Sequence, residues 1–238
     1  MQFANIEWRE NKGTYVPYSL DFNDVYFNTD DGQAETEYVF ITHNQLQQSF
    51  SNTNLSSFTI IETGFGTGLN FLVVSTLWLQ LAPNNATLHY IGIEKMPLSP
   101  PDLIRAHTLW PQFTEVSQAL INQYSTIKAG ANPVSIAPGR IHLDLQINDI
   151  TIVIPQLSQT ADAWLLDGFA PAKNAAMWSS EVFAQMARLS KTGTTFATFT
   201  CAGHVKRGLQ VAGFGVSKHK GFGKKREMLS GKFTGKRT

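Results

Sequence analysis

The chain has 238 residues, a length that favours one large domain over two small ones. Its residues are 42% hydrophobic and 16% charged, which is enough apolar material for a full core and argues against disorder. The single cysteine, Cys201, excludes an intramolecular disulfide, and six scattered histidines without zinc-ligand spacing predict no metal site.

No segment of the sequence is typical of secretion or of a membrane span. Glu7, Arg9 and Glu10 stand where a signal peptide has an apolar stretch. The longest apolar region, residues 69–82, is interrupted by polar residues and is too short to cross a bilayer. We therefore expect a soluble, cytoplasmic protein with no membrane partner.

The formal net charge of +1 conceals two oppositely charged parts of the chain. Residues 1–202 contain 9 Lys and Arg against 17 Asp and Glu, whereas residues 203–238 contain 10 Lys and Arg against Glu227 alone. Such asymmetry indicates an anionic partner such as a nucleic acid. On charge alone, a solvated lysine-rich surface explains it equally well.

The predicted elements begin after a polar stretch. Residues 1–57 are interpreted as an N-terminal extension that packs on the core, and residues 58–238 as the main domain. The polar stretch 47–57 is expected to be a connecting loop. Spacing then predicts, in chain order, a strand over 58–61, a helix over 69–81, a strand over 89–93, a helix that begins at Ser99, a helix over 113–124, strands over 141–147 and 163–166, a helix over 178–189 terminated by Gly193, a strand over 194–200, a short helix over 205–211, and a closing hairpin of 214–219 with 226–233.

Strands that alternate with helices favour βαβ units and a parallel sheet. We therefore predict an α/β fold with a Rossmann-like, doubly wound, mostly parallel sheet and a C-terminal antiparallel hairpin. In such sheets, ligands bind beyond the carboxyl ends of the strands. The residues that follow each strand are therefore the candidate site.

The first strand of this sheet leads into E-T-G-F-G-T-G (62–68), directly before a helix. Alternating glycines permit a tight turn and close approach of a ligand. A dinucleotide fingerprint does not fit because Leu69 or Phe71 occupies its third glycine position, and a phosphate loop does not fit because no lysine follows Gly68. The pattern resembles the first motif of class I S-adenosylmethionine-dependent methyltransferases, in which the acid, here Glu62, suits a cationic amino group. A tight turn that binds no ligand is the alternative.

Acids also follow the next two strands. Glu94 is suited to accept both hydroxyls of a ribose, and Asp149 stands where this family contacts adenine. Taken singly, Glu94 is as easily a surface residue and Asp149 a helix cap before Ile150. Their order after the glycines favours a nucleoside site.

Asp167 follows the strand 163–166 and begins the segment D-G-F-A-P-A-K-N (167–174). At this sheet edge a carboxylate faces the crevice beside the reactive group of a cofactor. It can hold a substrate ammonium, take its proton and orient the nitrogen lone pair for methyl transfer. Phe169 suits an apolar wall for a base, and Lys173 suits a phosphate. The alternative for Asp167 is a helix cap.

A more specific resemblance rests on six segments in one order. They are D-F-N-D-V-Y-F (21–27), E-Y-V-F (37–40), E-T-G-F-G-T-G-L-N-F (62–71), L-L-D-G-F-A-P-A-K-N (165–174), A-T-F-T (197–200) and K-G-F-G-K-K-R-E-M-L (220–229). Together they resemble the methyltransferase half of the bifunctional tRNA 5-methylaminomethyl-2-thiouridine biosynthesis proteins, the MnmC family. The resemblance extends from about Asn5 to Phe233.

This resemblance implies S-adenosylmethionine-dependent N-methylation of 5-aminomethyl-2-thiouridine at the tRNA wobble position, with Asp167 as the catalytic carboxylate. The residues that it implies for the cofactor are Glu62, Gly64, Phe65, Gly66, Gly68, Glu94, Asp149 and Tyr26. Those expected to contact the base or the phosphates of an anticodon stem-loop are Phe169, Lys173, Lys206, Arg207, Lys218, Lys220, Lys224, Lys225 and Arg226.

In that family an FAD-dependent oxidase follows the methyltransferase half and generates the amine. Because these residues contain no dinucleotide fingerprint, the oxidase is expected as another domain or chain, and no flavin chemistry is expected from these residues. Two other functions stay open. A methyl- or aminopropyltransferase of a small amine would share the strand-end acids but has no use for the basic C-terminal residues. A non-catalytic RNA-binding module has no use for the three glycines and Asp167.

Overall fold

In the computed structural model, which describes residues 1–236, the chain forms a small antiparallel sheet and a large mixed sheet. The small sheet contains β1 (Ile6–Asn11), β2 (Thr14–Ser19) and β3 (Asp24–Val25). The strands of the large sheet are β4 (Ser57–Thr63), β5 (Thr87–Glu94), β6 (Gly130–Ala137), β7 (Ile141–Ile147), β8 (Ala161–Leu166), β9 (Ser190–Thr198), β10 (Phe214–Lys220) and β11 (Glu227–Phe233).

The order of the large sheet is β10-β11-β9-β8-β4-β5-β7-β6. The five central strands β9, β8, β4, β5 and β7 run parallel. At the two edges, β6 pairs antiparallel with β7, β11 pairs antiparallel with β9, and β10 pairs antiparallel with β11. The predicted Rossmann-like sheet with its C-terminal hairpin is therefore confirmed.

Helices connect the parallel strands and cover both faces of the large sheet. They are α1 (Gly32–Thr36), α2 (Leu46–Phe50), α3 (Leu69–Leu81), α4 (Pro100–His107), α5 (Thr114–Tyr124), α6 (Ile150–Val153), α7 (Ser180–Arg188) and α8 (Gly203–Val211), with a π-helical turn at Glu37–Thr42 and 3₁₀ turns at Pro111–Phe113, Ile154–Gln156 and Ala175–Trp178. The predicted helix over 69–81 matches α3, and Ser99 caps α4 as expected because its hydroxyl accepts from the Asp102 N–H.

Successive side chains of the central strands enter two separate cores. Ile60 of β4 packs with α3, α4 and α5, whereas the adjacent Ile61 packs with α6, α7 and α8. This alternation follows from the two-residue period of a strand and requires apolar side chains on both faces of the sheet.

The N-terminal extension contributes to the first of these cores. Phe40, Leu46 and Phe50 are buried beside α3. The Ala4 N–H donates to the Pro97 carbonyl at 2.9 Å, which ties the first residues to the loop after β5. Whether the domain boundary lies at residue 57 stays a prediction.

Two local predictions are wrong. Residues 47–50 belong to α2 rather than to a loop, because Leu46 and Phe50 lie one helical turn apart and are both fully buried. Gly193 does not terminate α7, since that helix ends at Arg188 and Gly193 lies inside β9. The pairing of β9 with β8 shifts register beside it, and its φ of +93° suits such a bulge.

The loops after β4 and β8 touch at the carboxyl edge of the sheet. An ideal Cβ on Gly64 would lie 2.7 Å from the Cα of Gly168 and 3.0 Å from the Asp167 carbonyl oxygen. Gly64 also has a φ of +75°, a backbone conformation that side chains rarely adopt. Glycine at this position is what allows the two loops to meet.

We expect Gly64→Ala to lower the free energy of unfolding by about 2–4 kcal/mol, because left-handed strain and overpacking add together. Gly193→Ala is the matched control, since its φ of +93° is also left-handed but no atom lies within 4 Å of its ideal Cβ. That variant should lose only about 1–2 kcal/mol. Chemical denaturation measures both, and equal losses would contradict the close approach of the two loops.

Candidate active site

A cavity of about 420 Å³ lies beyond the carboxyl ends of β4, β5 and β8. Its volume falls in the range of small-molecule sites. Strand-end loops, the N-terminal extension and the turn between β10 and β11 all contribute to its lining. The residues that line the cavity therefore come from parts of the chain that are far apart in sequence.

Gly66 and Glu94 meet on one side of this cavity. The Gly66 N–H donates to Oε2 of Glu94 and the Met96 N–H donates to Oε1, each at 2.9 Å. Burial raises the pKa of Glu94, while these backbone donors oppose the shift. Each carboxylate oxygen retains a further lone pair, so Glu94 can accept from a pair of ligand hydroxyls.

The ring of Tyr26 lies opposite Gly66. Its Cδ1 atom is 3.4 Å from the ideal Cβ position of Gly66, so the space above this backbone is narrow. Burial raises the pKa of Tyr26, and its ring is therefore a neutral apolar wall.

Asp167 lines the centre of the cavity with both of its carboxylate oxygens held. Oδ1 accepts from the Gly168 N–H at 2.8 Å, and Oδ2 accepts from the Asn70 amide at 2.7 Å. Burial raises the pKa of Asp167 to about 6, with the charge of Glu35 acting in the same direction and that of Lys225 against it. A carboxylate with this pKa is mostly ionised at neutral pH and is able to accept a proton.

Glu62 lies beneath the cavity and not among its lining residues. It is fully buried, where Asn70 donates to Oε1 at 2.7 Å and the Tyr90 hydroxyl donates to Oε2 at 2.8 Å. Burial, followed by the charge of Asp167, raises the pKa of Glu62 well above its ordinary value. The expected contact of Glu62 with a ligand amino group stays a prediction, since the structure gives it protein partners instead.

Aromatic rings form the wall beyond Asp167. Phe22 stacks on Phe169 with ring centroids 4.5 Å apart, and Tyr26 meets Phe169 edge-on at 5.2 Å. Phe199 also lines the cavity, with the Lys225 ammonium 4.4 Å from its centroid. A flat ligand therefore has several aromatic rings available for apolar contacts.

The charged residues that line the cavity are mostly acidic. They are Asp24, Glu35, Glu94 and Asp167 against Lys95 and Lys225. Lys225 is paired with Glu35 at 2.8 Å, and the Glu35 side chain is only 12% exposed. The lining therefore favours a cationic ligand.

Two other residues expected to hold a cofactor have structural roles. Gly68 adopts a left-handed conformation before α3 with the Phe65 ring 3.0 Å from its ideal Cβ, and it does not line the cavity. Asp149 caps α6 through the Thr151 N–H and pairs with Lys95 at 2.9 Å. The helix-cap interpretation of Asp149 thus describes what the structure shows, while its contact with adenine stays a prediction. Gly64, Phe65, Gly66, Glu94 and Tyr26 all line the cavity.

The basic residues expected to contact RNA differ in whether they already form an ion pair with an acid of this chain. Lys225 pairs with Glu35, and Lys218 pairs with Glu227 at 2.7 Å. Lys173 pairs with Asp24 at 3.3 Å, which ties the loop after β8 to the N-terminal extension. Within residues 1–236, no ion pair is formed by Lys206, Arg207, Lys220, Lys224 or Arg226.

Sequence reasoning missed Asn70, Glu35 and Phe22 as lining residues. Asn70 stands two residues after the last glycine of the motif, so its place near a strand end was a usable signal. Glu35 and Phe22 gave no such signal, because they reach the cavity only through the packing of the N-terminal extension.

Over the part of the chain that the structure describes, no helix is both long and apolar enough to span a bilayer. In those same residues, no cluster of three His, Cys, Asp or Glu side chains is arranged to hold a metal ion.

The chain is similar to a known protein family and to curated proteins of bacteria. Residues 111–234 match the model of a family described as S-adenosyl-L-methionine-dependent methyltransferase. The tRNA 5-methylaminomethyl-2-thiouridine biosynthesis bifunctional protein MnmC of Methylobacillus flagellatus is 50% identical over 231 residues, covering 97% of this chain and 35% of that protein. MnmC of Aeromonas hydrophila is 48% identical over 238 residues, with the same two shares. The chain thus spans about a third of the length of these curated relatives.

A solved structure shares the fold. MNMC2 from Aquifex aeolicus superposes with a TM-score of 0.72 at 18% identity, covering 96% of this chain and 70% of that one. Within the N-terminal extension, residues 21–27 and 37–40 carry two of the segments on which the sequence resemblance rests.

The buried Glu62 makes a prediction about stability. The pKa of Glu62 is higher in the folded chain than in the unfolded chain. The fold therefore loses stability as the pH rises above the ordinary pKa of a glutamate, because the folded state then has to hold a buried charge. Glu62→Gln removes that charge and keeps an acceptor for Asn70 and a polar partner for Tyr90. The variant should therefore gain stability relative to the parent as pH rises, by at most about 1.4 kcal/mol per pH unit.

Urea denaturation between about pH 5 and pH 9 measures this difference. Glu115→Gln, at an exposed site on α5, is the control and should show no such trend. A difference between Glu62→Gln and the parent that stays constant with pH would contradict the buried charge.

Proposed function

Because this chain belongs to the S-adenosyl-L-methionine-dependent methyltransferase family, we propose that it methylates the amine of 5-aminomethyl-2-thiouridine at the tRNA wobble position, giving 5-methylaminomethyl-2-thiouridine. The observation that carries this proposal is the 50% identity, over 97% of the chain, to a protein named for the biosynthesis of that nucleoside. The family matched at residues 111–234 is described as S-adenosyl-L-methionine-dependent methyltransferase, which supports methyl transfer rather than another step of that biosynthesis.

The cavity fits the methyl donor of the family. S-adenosylmethionine supplies an electrophilic methyl group on a sulfonium cation. The acidic lining suits that positive charge, and Glu94 keeps lone pairs for ribose hydroxyls beside the narrow backbone at Gly66. Gly64, Gly66, Glu94 and Tyr26 are the residues proposed to hold the donor.

Asp167 is the residue proposed to activate the substrate amine. An aliphatic amine enters mostly as its ammonium form at neutral pH, and it must lose a proton before its lone pair can attack a methyl carbon. Asp167 first pairs with the ammonium and then accepts that proton on its carboxylate. A pKa of about 6, raised by burial, leaves it ionised but basic enough for this transfer.

The aromatic walls and the basic turn suit an RNA substrate. Flat apolar side chains that line the cavity, such as Phe169 and Phe199, suit contact with an unstacked base. Lys224 and Arg226 are exposed on the turn between β10 and β11, next to the cavity-lining Lys225. They are proposed to bind the phosphates of the anticodon stem-loop, together with Lys206, Arg207 and Lys220.

The substrate amine has to come from an earlier reaction. We propose that an FAD-dependent oxidase, in another domain or another chain, supplies it, and that both steps take place in the cytoplasm. The greater length of the curated relatives is consistent with such a further domain.

Asp167→Asn should lower methyl transfer by ~10²-fold or more, the usual scale for a group that moves a proton. The acid limb of the parent kcat profile should lie near pH 6, because activity is lost as Asp167 becomes protonated. Mass spectrometry of nucleosides digested from tRNA carrying the unmethylated aminomethyl group measures the added methyl.

Asp144→Asn, on β7 outside this cavity, is the matched control and should stay active. Calorimetry with S-adenosylmethionine should give Asp167→Asn a donor affinity close to that of the parent. Normal turnover by Asp167→Asn would exclude the proton-accepting role. Methylation of small amines but not of tRNA would favour the small-amine enzyme instead.

Binding of tRNA should weaken steeply as the salt concentration rises. Lys224→Glu and Arg226→Glu should each make the plot of the logarithm of the association constant against the logarithm of the salt concentration less steep by about 1. The structural reason is that each side chain is exposed and forms no ion pair within residues 1–236. Lys128→Glu is the control, because Lys128 is also exposed, forms no ion pair within residues 1–236 and lies just before β6, at the opposite edge of the sheet. Filter binding at several salt concentrations measures the slopes, and unchanged slopes in both test variants would rule out this basic surface.

A further inference from the structure

Asn70, at the start of α3, joins two carboxylates through one amide group. Its Nδ2 donates to Glu62 Oε1 and to Asp167 Oδ2, both at 2.7 Å. An amide nitrogen has two N–H donors, so both are used by these two contacts. Asn70 is buried at 5% exposure and therefore has no donor left for a ligand. Any effect of Asn70 on the reaction must act through the carboxylates that it binds.

The N-terminal extension holds the oxygen of this amide. The hydroxyl of Thr36, at the end of α1, donates to Oδ1 of Asn70 at 2.7 Å. The two acids, which accept the N–H groups, set the orientation of the amide, because a flipped amide would turn its oxygen toward them. Thr36 is itself buried, so water does not replace its contact. The extension thus supports the amide position that presents both N–H groups to the acids.

The Asp167 carboxylate is fixed by this amide on one oxygen and by the Gly168 N–H on the other. In addition, the Thr63 hydroxyl donates to the Asp167 backbone carbonyl at 2.9 Å. Both the side chain and the backbone of Asp167 are therefore held before any substrate enters. Such preorganisation keeps the remaining carboxylate lone pairs directed at the cavity.

Asn70 also affects the charge balance around Asp167. The charged groups near this carboxylate are Glu62 from β4, Glu35 from α1 and Lys225 from the turn between β10 and β11. The hydrogen bond from Asn70 lowers the pKa of Asp167, against the larger effect of burial. Removing the amide leaves two acids close together without their shared donor, and both carboxylates become harder to ionise.

We propose that Asn70, held by the Thr36 hydroxyl, is a positioning residue that fixes the direction of the Asp167 carboxylate and keeps it ionised for the methyl-transfer reaction. This inference rests on the proposed function, since it assigns to Asp167 the role of accepting the amine proton. It goes beyond that function by making the N-terminal extension part of the catalytic apparatus. The extension reaches Asp167 through one hydroxyl and one amide.

The test compares Asn70→Leu, which has a similar volume without donors, with the pair Thr36→Val and Thr36→Ser. Asn70→Leu should lower kcat by about 10- to 100-fold, the scale of a misplaced catalytic group, with KM for S-adenosylmethionine changed less than about threefold. Its acid limb should move to higher pH. Thr36→Val should show a smaller change of the same kind, and Thr36→Ser, which keeps the hydroxyl, should restore the parent behaviour.

A measurement without substrate separates this inference from the proposed function. Carbon-13 NMR of labelled aspartate carboxyl groups, with the Asp167 signal identified by its absence in Asp167→Asn, follows the titration of Asp167 directly. In Asn70→Leu and Thr36→Val its midpoint should move to higher pH. An unmoved midpoint, or a fall in kcat that only parallels lost thermal stability, would overturn the positioning role even if Asp167 proves essential. No methyl transfer to tRNA by the parent would instead overturn the proposed function, and normal turnover by Asp167→Asn would overturn its proton-accepting role. In either case a shifted NMR midpoint would still support the Asn70 contact.

Discussion

The structure depends on holding buried carboxyl groups at the carboxyl edge of a sheet whose interior is apolar. Glu62 lies near the end of β4, Glu94 ends β5 and Asp167 follows β8, and burial raises the pKa of all three. A carboxylate withdrawn from water is costly unless donors replace the lost hydration. Here the donors are the amides of Gly66, Gly168 and Asn70.

These donors exist because the loops at the strand ends approach one another closely. The backbone amide of Gly66 reaches Glu94 only where the chain turns with φ at +55°, and Gly64 leaves room for the loop that carries Asp167. The glycines therefore allow the hydrogen bonds to the acids as well as leaving open space in the cavity. The same backbone geometry supplies the hydrogen bonds that keep the carboxylates in place.

Residues outside the Rossmann-like sheet complete the cavity. Thr36 and Glu35 come from α1, and Lys225 comes from the turn between β10 and β11. The ion pair of Glu35 with Lys225 joins these two regions at the cavity. Because Lys225 and Lys173 are already paired, the proposed contacts with an RNA backbone fall on neighbouring residues such as Lys224 and Arg226.

The sequence by itself determined the alternation of strands and helices, the glycine turn, and the acids that follow β5, β7 and β8. These follow from local periodicity and from the rule that ligands meet the carboxyl edge of a parallel sheet. It also indicated the excess of positive charge in residues 203–238. It did not indicate α2, because two buried residues within a polar stretch carry too little periodicity to predict a helix.

Only the tertiary structure decided which of those acids face the cavity. Glu62 and Asp149 satisfy the same sequence pattern as Glu94 and Asp167, yet one is buried beneath the cavity and the other caps α6. The contacts of Asn70 with Thr36 and Asp167 join residues 34 and 97 positions apart. Such contacts are set by how helices and loops pack in three dimensions, and no local pattern records them.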